Sequence, residues 1–255
     1  MHTRRIVPSV VDRYSEIQEA QDLIREIFLE FGDRAAIGTS GQLSGMVILD
    51  LAIQAGITPR MFTVDTHRLF PESYKFFDKV EQHYGIKIER FRPPEQELNE
   101  MLKEDGEFLF FDSKEKQEKC CHIRKVLPNQ EALDGLDVWL TGLRRDQSRA
   151  RRDVARLQII EHGEQQRPIL KVAPLFKWKE KQLRSYIKEH QVPTHPLLEW
   201  SKDGWYYESL GCTLCTTPIG PFESRRAGRW RWFNALDPDA NKECGIHIPL
   251  PEEIK

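Results

Sequence analysis

Five cysteines carry the most distinctive chemistry in this sequence. Cys120 and Cys121 are adjacent, Cys212 and Cys215 form a Cys-x-x-Cys pair about 90 residues later, and Cys244 stands alone in Lys242-Glu243-Cys244-Gly245-Ile246-His247. Four thiolates are what an iron–sulfur cluster requires, and Cys-x-x-Cys can reach a single metal centre. A zinc site of four cysteines is the alternative. An adjacent pair strains a tetrahedral mononuclear site, whereas a cluster spreads its ligands over several irons, so [4Fe–4S] is favoured. Free cysteine is often only a small core hydrophobe, but two tight pairs argue for more than that. Cys244, outside the quartet, is a candidate nucleophile rather than a stray thiol. Gly245 permits close backbone approach, and His247 can favour the reactive thiolate.

Anion-binding groups form the second set. Arg144, Arg145, Arg149, Arg151, Arg152 and Arg156 crowd one stretch, and Arg225, Arg226, Arg229 and Arg231 another. Guanidinium forks match phosphate and sulfate oxygens bidentately, although a charge run is usually a solvated face. The turn Thr39-Ser40-Gly41-Gln42-Leu43-Ser44-Gly45 lacks a Walker-type Gly-Lys-Ser/Thr ending, which disfavours a generic NTPase. Such a turn binds an anion only if it joins a strand to a helix N-terminus; otherwise it is an ordinary tight turn. Asp65-Thr66, at the end of the next strand, is equally ambiguous.

The elements that must position these groups alternate. Residues 1–33 read as a helical lead-in, with Ile17, Leu23, Ile24, Ile27 and Phe28 at helical spacing. Strands are expected at 35–38, 61–64, 86–91, 138–141 and 169–172, and helices at 46–55, 71–84 and 179–190. This pattern predicts a mostly parallel sheet with crossover helices and ligands beyond the strands' carboxyl ends. The expected organisation is a lead-in at 1–33, a nucleotide-binding α/β domain at 34–219 and a tail at 220–255. At 255 residues, 39% hydrophobic and 31% charged, the chain reads as a globular protein. A net charge of −2 lowers the prospect of a nucleic-acid ligand. No apolar run approaches the ~20 residues that span a bilayer, so the expectation is a cytoplasmic protein with no membrane partner.

The chain resembles the thioredoxin-dependent sulfonucleotide reductases, in particular the assimilatory [4Fe–4S] adenylyl-sulfate (APS) reductases. The matching stretches are 120–126 (Cys-Cys-His-Ile-Arg-Lys-Val), 141–148 (Thr-Gly-Leu-Arg-Arg-Asp-Gln-Ser), 211–216 (Gly-Cys-Thr-Leu-Cys-Thr), 228–232 (Gly-Arg-Trp-Arg-Trp) and 242–247. The resemblance implies an α/β fold of the adenine nucleotide α-hydrolase (PP-loop) type with a mobile C-terminal tail. It implies Cys120, Cys121, Cys212 and Cys215 as cluster ligands, and Lys125 beside cluster and substrate. It also implies Arg144, Arg145, Arg152 and Arg229 as substrate-anion contacts, with Ser40, Gly41, Ser44, Asp65 and Thr66 lining the nucleotide site. Cys244 is then the nucleophile, with His247 beside it. The implied partners are thioredoxin, or a glutaredoxin-like donor, and a small sulfonucleotide; a homo-oligomer stays open.

Two departures bear on the substrate. Many cluster-bearing relatives have a Glu-Asp pair where this chain has Leu43-Ser44-Gly45, and tend to have Gly where it has His67. APS and its 3′-phosphorylated form, PAPS, therefore both stay open. The rival readings are an ATP-cleaving thiolation or amidation enzyme of the same fold and a cluster-bearing RNA-binding protein.

Overall fold

The computed structural model describes residues 8–233 and 245–247. These include α1 (Pro8–Ser15), α2 (Ala20–Phe31), β1 (Ala35–Gly38), α3 (Leu43–Gln54), β2 (Arg60–Val64), α4 (Pro71–Tyr84), β3 (Ile88–Phe91) and α5 (Glu95–Asp105). They continue with α6 (Lys114–Cys121), α7 (Leu127–Leu133), β4 (Val138–Thr141), β5 (Leu157–His162) and β6 (Arg167–Val172). The last are α8 (Glu180–His190), α9 (Pro196–Glu199), β7 (Ser201–Lys202) and β8 (Trp205–Tyr206). The chain forms two compact units. One comprises the chain up to Thr63 with Glu72–Glu89 and Leu133–Pro196; the other comprises Val64–Pro71, Arg90–Ala132 and Leu197 onward.

The first unit is built on a six-stranded sheet in the order β3-β2-β1-β4-β6-β5. β1 pairs parallel with β2 and β4, and β4 with β6, while β5 runs antiparallel to β6 in a hairpin. Strands buried on both faces need continuous apolar runs, and Val138, Leu140, Leu170 and Val172 are fully buried. α3 is apolar nearly all round, so it is a core helix: Leu43 to Ala52 are all buried, with α2 and α8 packed against it. Sheet order reverses between β1 and β4, and at such a switch point the loops leaving the two strands diverge and open a crevice. The Gly/Ser turn leaves β1 there, and the arginine run leaves β4.

The second unit has little regular sheet. α6 has no apolar stripe beyond its two cysteines. Its start is fixed by Ser113, whose Oγ accepts from the Lys116 amide at 3.2 Å, and Lys114–Glu118 and Lys116–Asp112 ion pairs flank it. The core gathers Leu98, Met101, Leu109, Phe110, Ile123 and Trp230 around Cys120, Cys121, Cys212 and Cys215. Trp232 donates its indole N–H to the Phe110 carbonyl at 3.0 Å and packs 4.3 Å from the Phe111 ring.

Candidate functional site

The second unit brings all four paired cysteines into one apolar cluster, each between 5% and 6% exposed. Cys120 and Cys121 close α6, and the chain then widens into a π-helical turn, His122–Val126. Such turns insert a residue into the helical register and often mark functional sites. Here Arg124 and Lys125 are buried along with both thiols. Cys212 and Cys215 sit on a tight turn whose first residues are held by the Thr213 amide donating to the Arg68 carbonyl at 2.8 Å. Thr66 Oγ1 lies 3.3 Å from Cys212 Sγ, and Gln117 Nε2 donates to Cys121 Sγ at 3.1 Å.

Cations surround these thiols. Arg124 donates to the Thr66 carbonyl at 3.0 Å. Arg229 donates to Thr216 Oγ1 at 2.9 Å, and its guanidinium and the Lys125 ammonium lie 5.1 and 6.0 Å from the Trp230 ring centre. Gly211 makes this possible, because a Cβ there would overlap the Arg229 guanidinium. The Cys212 thiol is pulled well below its ordinary range, first by a hydrogen bond from Cys215 and then, against its burial, by Lys125, Thr66 and Arg229. Cys215, the donor, moves up, and burial raises Cys120.

The donor set fits an iron–sulfur group. Arg124 Nε, Arg229 Nε and Trp230 Nε1 are buried with no hydrogen-bond acceptor among the described residues. Orphaned N–H groups beside four thiols suit an acceptor-rich anionic group. Among the described residues no group of three His, Cys, Asp or Glu side chains is placed to hold a metal ion, so the fit rests on the residue types gathered here.

Asp65 and Thr66 also belong to this unit. Asp65 Oδ1 accepts from the His67 amide at 3.0 Å, and its Oδ2 is 3.3 Å from Arg92 Nε. His67 is exposed with φ of 57°, the backbone region glycine prefers. His247 lies in the short stretch 245–247, half-buried. Cys244 falls outside the described residues.

At the switch point of the first unit, the Gly41 amide donates to Thr39 Oγ1 at 3.1 Å, and Ser40, exposed, accepts from Gln42 Nε2 at 2.9 Å. Ser44 is buried in the first turn of α3. Arg144 donates to Ser44 Oγ at 2.6 Å, Asp146 Oδ1 at 2.9 Å and Glu180 Oε2 at 2.7 Å. Its guanidinium is therefore bound to protein groups on three sides. Arg145 is exposed, stacked 4.8 Å from the Phe176 ring with Nε donating to the Val154 carbonyl. Arg152 is exposed beside Asp153. Arg156 clamps the carbonyls of Ile17 and Gln18, and Arg151 donates to Gln147. Only part of the arginine run is thus open to a ligand. Arg124, Asp146 and Gly211 lie in the stretches that carry the resemblance but were given no role from sequence, and Glu180 carried no local signal.

A mostly parallel sheet with a Gly/Ser loop at its switch point defines an α/β protein, in keeping with the PP-loop type that the resemblance implies. The comparisons narrow this. The chain matches the model of the phosphoadenosine phosphosulfate reductase domain over residues 34–218. The adenosine 5'-phosphosulfate reductase of Pseudomonas aeruginosa (strain LESB58) is 37% identical over 229 residues, covering 89% of this chain and 81% of the relative. The protein of the same name from Allochromatium vinosum is 34% identical over 248 residues, covering 96% and 91%. Phosphoadenylyl-sulfate (PAPS) reductase from Candida auris shares the fold, with a TM-score of 0.65 at 24% identity, covering 86% of this chain and all of that one. The chain belongs to the phosphoadenosine phosphosulfate reductase domain family, the sulfonucleotide reductases.

Proposed function

We propose that this chain reduces adenylyl sulfate to sulfite and AMP with a thioredoxin-like dithiol as reductant. The observation that carries the proposal is the gathering of four buried thiols with buried Arg124, Lys125 and Arg229, in a chain whose curated relatives are named adenosine 5'-phosphosulfate reductases. Cys120, Cys121, Cys212 and Cys215 would hold a [4Fe–4S] cluster. When bound, it would polarise the site without carrying electrons.

The chain's own residues do the rest. Sulfate and thiolate repel, so the first requirement is positive charge fixed in place before substrate arrives. Lys125 and Arg229 supply it in the second unit, and Arg145 and Arg152 supply it beside the switch point of the first. The Thr39–Gly45 loop and the start of α3 receive the nucleotide, with Ser40 and Gly41 presenting hydroxyl and backbone groups. The Cys244 thiolate, supported by His247, attacks the sulfonyl sulfur. The S–O bond to the phosphate breaks, AMP leaves with the electron pair, and Cys244 holds an S-sulfonate. A dithiol thiolate then attacks the Cys244 sulfur and displaces sulfite. Its second thiol resolves the mixed disulfide, returning Cys244 as thiolate and the donor as disulfide.

PAPS stays a second reading on one observation. Ser44 and Gly45 put no carboxylate in the loop, and a Cβ at Gly45 would overlap Thr39 Oγ1, so an added phosphate meets no negative charge there. The test is sulfite release from APS and PAPS side by side, on anaerobically prepared protein with thioredoxin. The proposal expects APS to be used with the higher kcat/KM. No sulfite from either nucleotide would overturn it.

A further inference from the structure

We propose that Glu180 and Asp146 are positioning residues for the nucleotide: through Arg144 they fix Ser44 and hence the loop between β1 and α3. This rests on the reading that this loop receives the nucleotide. Arg144 is 2% exposed, and a buried guanidinium is tolerated only when its charge and N–H groups are matched. Two carboxylates match it. Asp146 comes from the loop after β4 and Glu180 from the first turn of α8, 2.9 and 2.7 Å away. Asp146 also holds α8 in register, because its Oδ2 accepts from the Glu180 amide at 2.8 Å.

With two directions of its planar fork fixed, Arg144 aims the third at Ser44 Oγ, 2.6 Å away. Gly142 lets the β4 loop come this close, since a Cβ there would lie 3.0 Å from the Ser44 Cβ. The start of α3 is thus braced from α8 by a chain of charge-assisted hydrogen bonds. Arg144 uses three of its five N–H groups on this brace, whereas Arg145 is exposed.

The experiment uses the full-length, cluster-loaded protein and measures the Kd for AMP by calorimetry, KM for APS, the Cys244 sulfonation rate at saturating APS, and thermal stability. Variants are Glu180→Ala, Glu180→Gln, Ser44→Ala and the double variant Glu180→Ala/Ser44→Ala, with Arg184→Ala as control. Arg184 donates to the other Glu180 oxygen from an exposed position. Glu180→Ala and Ser44→Ala should each weaken AMP binding and raise KM by about tenfold, with saturated sulfonation in Glu180→Ala falling less than about threefold. The double variant should lose less than the product of the two, because both cut one network. Glu180→Gln, which keeps an acceptor, should recover most of the affinity, and Arg184→Ala should bind AMP as the parent does.

Unchanged AMP affinity in folded Glu180→Ala would overturn the inference, as would equal loss in Arg184→Ala. Should Glu180→Ala fail to fold, Glu180→Gln and Ser44→Ala decide: normal affinity in Ser44→Ala rejects the brace. A parent protein that binds AMP yet yields no sulfite would sink the reductase reading and leave this inference standing.

Discussion

Arg229 and Gly211 show how one missing methyl group can set up a cationic site. The guanidinium lies where a Gly211 Cβ would stand, with Nη1 on Thr216 and its face toward Trp230. Gly211→Ala forces either the arginine or the turn bearing Cys212 to move. Overpacking of this kind costs about 1–3 kcal/mol, and urea melts should show it. Removing the guanidinium should relieve it, so Arg229→Ala/Gly211→Ala should be no less stable than Arg229→Ala alone. If Gly211→Ala melts like the parent, the close packing is not what the site depends on. Residue identity was legible at this scale only where it was chemically unusual. The paired cysteines stood out, whereas the arginine run did not reveal that Arg144, Arg151 and Arg156 are bound to Asp146, Glu180, Gln147 and distant carbonyls. Glu180 and the Ile17 and Gln18 carbonyls lie 36 to 139 residues from their arginines, and no local spacing encodes them.

Elements were legible where burial imposes a period. The apolar runs 61–64 and 138–141 and the stretch 71–84 mark β2, β4 and α4 because one face or both must be dry. α6 was not legible, since Lys-Glu-Lys-Gln-Glu-Lys has no apolar stripe. It is held by the Ser113 cap, by ion pairs and by the burial of its two cysteines. β5 escaped as well, being a sheet edge with Gln158, Ile159 and Glu161 exposed and no residue fully buried. Across elements, α4 is joined to the segment after α8 by Ser73 Oγ and His195 Nε2 at 2.9 Å, with the imidazole 5.3 Å from the Phe76 ring. Burial pushes His195 down to about 4, against a small opposing pull from Glu72. The folded protein therefore excludes a proton that the unfolded chain accepts below about pH 6.5. Stability should fall as pH drops through the window from about 6.5 to 4, by about 1.4 kcal/mol per pH unit for this group, and level off below it. Urea melts across that window should show a shallower slope in His195→Asn; an unchanged slope would mean that the ring is not the group responsible.

For the whole molecule, the account divides the five sulfurs. Cys120, Cys121, Cys212 and Cys215 are buried together in one unit, while Cys244 follows Phe233 by eleven residues beyond the described core. Among the described residues no helix is long and apolar enough to cross a membrane. The chain matches its curated relatives over most of their length. The division of labour predicts that the sulfonyl group rests on the lone cysteine between the two half-reactions. Mass spectrometry of the iron-loaded protein, quenched after one equivalent of APS without thioredoxin, should find an added SO3 on the peptide containing Cys244 and on no other. An unmodified Cys244 peptide under those conditions, with AMP and sulfite nonetheless released, would contradict the account.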